Sequence, residues 1–206
     1  MRKKPLSYIF LLCLLGSLLI LAGCQQVFTF SPFSRLQRDP SKMSPEQKEQ
    51  YAKAVLASGD TAQMADAYAL IAEMLAEDPG NGELHLLAAD LAIGASGLGD
   101  LITGADPESG LGDADSMAAS LNTELLSGID GHIQQAEASG QQVSDSQYVN
   151  AGAAIVIGKA AENDDGLDGI DWENDEDINR AQEYAERGGV DIEGMFGGGP
   201  EETETE

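Results

Sequence analysis

A chain of 206 residues with 36 Asp and Glu against 11 Lys and Arg, net −25 at pH 7, lacks the basic clusters that grip a phosphate backbone. Nucleic acid is therefore excluded as a partner. The two histidines and two cysteines fit no zinc-ligand spacing and no disulfide-dense scaffold.

The first element reads as a leader. Arg2, Lys3 and Lys4 precede an apolar run from Leu6 to Ala22, which ends at Cys24. Bases, an apolar run and small residues before a cut site are the parts of an export signal, removed on maturation. The run also approaches the ~20 residues of a membrane-spanning helix, so a retained anchor is the alternative. Leu21-Ala22-Gly23-Cys24 resembles the lipobox of bacterial lipoproteins. The resemblance implies cleavage before Cys24, more than one acyl chain on that residue, and a lipid-anchored address in the bacterial cell envelope. Cys13 would leave with residues 1–23, and the mature chain would then have no free thiol. Gln25 carries no negative charge, which points to the outer membrane, facing the periplasm.

Residues 24–43 hold Pro32, Pro40 and no periodic apolar pattern, so they read as a tether between lipid and body. The bases Arg35, Arg38 and Lys42 would be drawn to anionic headgroups, and the acidic body beyond them repelled.

The body is expected over residues 44–189 as an all-α domain of about six helices packed as antiparallel hairpins. Ser44-Pro45-Glu46-Gln47 is a capping box with Pro at the first helical position. Tyr51, Ala54, Val55 and Ser58 are expected to share the buried face of this helix, and Gly59 to stop it. Asp60 or Thr61 caps a second helix with the stripe Met64, Ala67, Tyr68, Ile71, Leu75, closed by Pro79-Gly80. Asn81 caps a third, with Leu84, Leu87, Ala88, Leu91 and Ala92. Ala67, Ile71, Met74, the turn "EDPGN" at 77–81, and Ala88, Ala89 and Ala92 resemble a tetratricopeptide repeat over about residues 51–95. The resemblance implies a scaffold that binds a protein partner. It departs from the roughly 34-residue period by a longer Gly59 to Pro79 interval, and its small positions lack aromatic partners. An ordinary antiparallel helical bundle stays open as the alternative.

"SGLGD" occurs at 96–100 and again at 109–113. Without a Lys and with Asp100, Asp106, Glu108, Asp113 and Asp115 around it, this is no phosphate loop, and a plain connection between helices is expected. From Ser116 to Ser139, Met117, Leu121, Leu125, Ile129 and Ile133 predict a helix. Gly128 and Gly131 weaken it by about 1 kcal/mol each relative to Ala, with a kink or break near Gly131. Ser144-Asp145-Ser146-Gln147 is a second capping box, opening a helix apolar on most sides from Tyr148 to Ile157. Too short to span a bilayer, it reads as a buried central helix in which Gly152 and Gly158 permit close approach.

"ENDDGLDGIDWENDED", residues 162–177, has a calcium loop's composition without its order. With Asp164 in first place and Gly169 at the turn, the third position holds Gly166 and the usually apolar one Asp171, so the pattern fails. Asp164, Asp168 and Asp171 remain only weak divalent-cation candidates, and a solvated loop with Ile170 and Trp172 docked on the core is expected. A last helix over about 176–187 carries Ile178, Ala181, Tyr184 and Ala185, and residues 190–206 are expected as a disordered acidic tail.

Nothing points to catalysis. His85 and His132 sit singly, each expected to be structural or exposed, and no nucleophile or metal motif accompanies them. The chain is read as a non-enzyme without cofactor. Its function is expected to be that of an envelope scaffold or assembly factor. The alternative is an accessory solute-binding subunit, since the architecture resembles the helical T-component lipoproteins of TRAP-type transporters.

Overall fold

Ser44 Oγ accepts from Gln47 N, and Gln47 Oε1 accepts from Ser44 N, so the capping box forms as the sequence predicts. It opens α1, Pro45–Ser58, in the computed structural model, which describes residues 42–104 and 121–196. Side-chain caps from Asp60, Asn81, Asn122, Ser144 and Asp175 open α2 (Thr61–Glu77), α3 (Gly82–Ser96), α5 (Thr123–Ala138), α6 (Asp145–Glu162) and α7 (Glu176–Arg187). Each satisfies an amide that the first helical turn leaves without a partner. Between α3 and α5 lies the short α4, Leu98–Gly104. A 3₁₀ turn, Gly166–Gly169, separates α6 from α7, and a single helical turn, Ile192–Met195, follows α7. The described residues are all-α: seven helices packed as sequential antiparallel neighbours, with no strand.

Two apolar cores meet at α3. One joins Ala52 and Val55 of α1, Met64, Ala67, Ile71 and Leu75 of α2, and Leu84, Leu87, Ala88 and Leu91 of α3. The other takes Ala89, Ala92 and Ile93 from the opposite side of α3 and closes them under α5, α6 and α7. Helix α3 is thus buried nearly all round, with its largest packing surface against α5. Among the described residues no helix is long and apolar enough to cross a membrane.

Several expectations are corrected. On α1 the buried residues are Ala52 and Val55, while Ala54 and Ser58 are exposed, because alanine at both 52 and 54 leaves the phase before Val55 open. The first SGLGD is not a plain loop. Gly97 (φ +85°) turns the chain out of α3, and Leu98, fully buried, starts α4. This helix, α4, is one more than the six expected; the second SGLGD lies outside the described residues. Helix α5 runs unbroken through Gly131, held by Leu126, Ile129, Ile133 and Ala136 in the core. Close approach holds at Gly152, where an added Cβ would lie 2.9 Å from the Ala181 carbonyl oxygen and from Ile192 Cδ1, but not at Gly158, which has nothing within 4 Å. Packed structure also passes the boundary set at Gly189: Ile192 and Phe196 are buried, because the chain folds back from α7 onto the core. The tail from residue 197 lies outside the described residues.

Candidate functional site

Cys24 and the tether fall outside the described residues. Of the cation candidates, Asp164, Asp168 and Asp171 are all exposed. Asp171 accepts from the backbone amides of Glu173 and Asn174 and from the Asn174 side chain, which closes the turn and holds its carboxyl below the usual carboxylate range. Asn163 ties the preceding turn by donating to Gly169 O. Among the described residues no group of three His, Cys, Asp or Glu side chains is arranged to hold a metal ion. Leu167, Ile170 and Trp172 pack against the core, as expected for the latter two, and Gln182 donates to Trp172 O.

The structure brings together what the sequence shows apart. His85 of α3 and His132 of α5 face each other with Nδ1 to Nδ1 at 2.9 Å. His85 Nε2 lies 3.0 Å from Pro79 O, and His132 Nε2 lies 3.2 Å from Tyr68 Oη of α2. The proton positions follow from valence. Pro79 O can only accept, so His85 Nε2 carries hydrogen. In the neutral ring His85 Nδ1 is then bare and accepts, which places the shared hydrogen on His132 Nδ1. His132 Nε2 is bare in turn, and Tyr68 donates to it. The neutral row is fully satisfied, with one hydrogen per gap, and runs from α2 through α5 and α3 to the turn after α2. Burial first, and the His85 ring second, lower the His132 pKa to about 4. Burial likewise raises the Tyr68 phenol above its ordinary value.

A second polar seam joins α5, α6 and α7. Tyr184, 3 % exposed, donates to Asp130 at 2.9 Å; burial and that carboxylate push its phenol up. Arg180 pairs with Asp130 and Asp177. Lys159 reaches Asp175 and Asp177 at 3.1 and 2.8 Å, and its hydrogen bond is the chief cause holding Asp177 below the usual range. Glu137 accepts from Tyr148 at 2.7 Å and pairs with Arg187, whose guanidinium lies over the Tyr148 ring. On α1, Lys48 pairs with Glu73, and Lys53 with Glu49 and Glu83. From residue 43 to 196, every Lys and Arg is thus bonded to a carboxylate, and each of the five ties its helix to another.

Neither histidine, taken singly, announces the row. The sequence signal is placement: His132 stands three residues after Ile129 and beside Ile133, on the apolar face of α5, and His85 lies inside the α3 stripe. The chain is thus an all-helical domain with buried polar ties between its helices and, among the described residues, no assembled metal site. It matches no protein-family model, no curated protein and no solved structure.

Proposed function

We propose that this chain is a bacterial lipoprotein, anchored through acylated Cys24 and offering its helical body as a docking scaffold or assembly factor for a protein partner in the cell envelope. The observation that carries the reading is Leu21-Ala22-Gly23-Cys24 behind three bases and an apolar run. Acyl chains contribute about 0.8 kcal/mol per buried CH₂, so a multiply acylated Cys24 would stay on a bilayer where a single chain is marginal. The antiparallel α1–α3 stack on one core fits the tetratricopeptide-like reading of residues 51–95. The charge arrangement supports a protein partner over nucleic acid: the bases of the body are all engaged internally and carboxylates outnumber them, so a partner would bring the cations. A hollow of about 450 Å³ beside α7 is rimmed by Glu186, Asp191 and Glu193, with Val190 and Ile192 in its lining. A charged rim of this kind suits contact with a cation-bearing protein surface. Uncharged Gln25 favours the outer membrane, facing the periplasm.

The test is Cys24→Ser expressed in a bacterial host with labelled palmitate. The wild type should take up label and be shortened by its leader, and the variant should do neither. Normal processing of Cys24→Ser would overturn the lipoprotein reading.

A further inference from the structure

The histidine row has a property that neither ring has alone. Its central gap accommodates one hydrogen. A first added proton can be absorbed if Tyr68 turns from donor to acceptor: His85 then carries hydrogen on both nitrogens and donates across the central gap, while His132 holds its own hydrogen on Nε2. A second cannot. Two imidazoliums would point N–H at N–H and set two positive charges across 2.9 Å in a partly dry site.

We propose that the His85–His132 pair is an acid-operated latch: the fold holds it with at most one added proton, and uptake of the second parts α3 from α5 and releases Tyr68 of α2. The surroundings offer no rescue. Tyr68 from α2, His85 from α3 and His132 from α5 are the titratable groups in the row, and the rings' hydrogen bonds go to one another, to Tyr68 and to Pro79 O. The carboxylates nearest in sequence are engaged elsewhere: Glu83 with Lys53, Asp90 with the Gln147 side chain of α6, Asp130 with Tyr184 and Arg180, and Asp78 with Asn81. From α6, Tyr148 turns to Glu137 and Arg187, and Lys159 to Asp175 and Asp177.

The direction follows from the depressed basicity of His132. The unfolded chain takes its proton near pH 6.5, the folded chain only near 4. Stability is therefore complete above about pH 6.5 and is lost as pH falls toward 4. The unfolding constant should rise roughly 300-fold across that window from this ring alone.

The experiment uses the whole chain in detergent micelles with ¹⁵N-labelled histidine, which gives two ring systems. At pH 7.5 one ring should carry its hydrogen on Nδ1 and the other on Nε2. On acidification, near-UV circular dichroism should persist through the first proton and collapse with the second. His132→Gln, whose amide can donate to His85 and accept from Tyr68, should remove most of the acid loss. Two rings titrating independently near pH 6.5 with the near-UV signal intact would overturn the latch, as would His132→Gln losing structure over the same pH range as the wild type. If that variant does not fold at neutral pH, the wild-type proton count against the near-UV signal decides the matter alone.

Discussion

Replacing Gly152 by Ala sets two well-known effects against each other. In the interior of α6, Ala is favoured over Gly by about 1 kcal/mol, because glycine has more backbone freedom to lose on folding. The new methyl, however, would stand 2.9 Å from Ala181 O and 2.9 Å from Ile192 Cδ1. The first of these is backbone in α7, and the second belongs to a side chain only 2 % exposed, so neither can retreat without moving packed neighbours. Forcing a methylene-sized group into such a site costs about 1–3 kcal/mol, which leaves a net loss of up to about 2 kcal/mol. For a chain of this size, each kcal/mol corresponds to roughly 2–4 °C in Tm. Gly158 is the control on the same helix. Nothing lies within 4 Å of its added Cβ, so Gly158→Ala should gain close to the full propensity difference and raise Tm by roughly 2–4 °C. Thermal unfolding followed by circular dichroism compares the two. If Gly152→Ala raises Tm as much as Gly158→Ala does, α6 and α7 do not approach as described.

The remaining predictions concern the core and the acidic loop. Leu75→Ala and Leu87→Ala remove buried side chains from the core shared by α1–α3 and should each cost ~2–5 kcal/mol, read from the urea midpoint. Glu73→Ala removes a largely exposed carboxylate paired with Lys48 and should cost under about 1 kcal/mol; an equal loss would mean the phase of α2 is wrong. Millimolar Ca²⁺ should alter Trp172 fluorescence no more than monovalent salt of equal ionic strength. A saturable Ca²⁺ response that disappears in Asp164→Ala/Asp168→Ala would make the loop a cation site.

The legible parts of the fold are those written within four residues. The caps at Ser44, Asp60, Asn81 and Ser144 are local chemistry, and each opens a helix where the sequence places it. The stripe Met64, Ala67, Ile71, Leu75 lies under one core as its spacing requires, and so does Ile178, Ala181, Tyr184, Ala185. Alanine blurs this signal. Ala52 and Ala54 are equally admissible beside Val55, and tertiary packing alone chooses the first. Gly128 and Gly131 weaken α5 intrinsically, but the burial of Ile129 and Ile133 outweighs that weakness. The histidine row is half legible: the sequence places each ring on an apolar helix face, but the partners lie 47 and 64 residues apart in the chain, and the packing of α2, α3 and α5 brings them within hydrogen-bond reach. Cys24, the residue most plainly marked by sequence, lies outside the described residues and gains nothing from the fold.

Because α3 lends one side to each core, the order in which the chain is released matters. A chain delivered from its N-terminus can close the first core once Ser96 has emerged, since α1, α2 and the near side of α3 are then all present. Until α5 follows, the far side of α3 stands bare, with Ala89, Ala92 and Ile93 facing water and His85 lacking its partner. That interval is when the nascent protein is most prone to stick to its neighbours. Once α5 docks, the same sharing works the other way. Neither core can melt without uncovering a wall of the other, so the two halves are bound to a common fate.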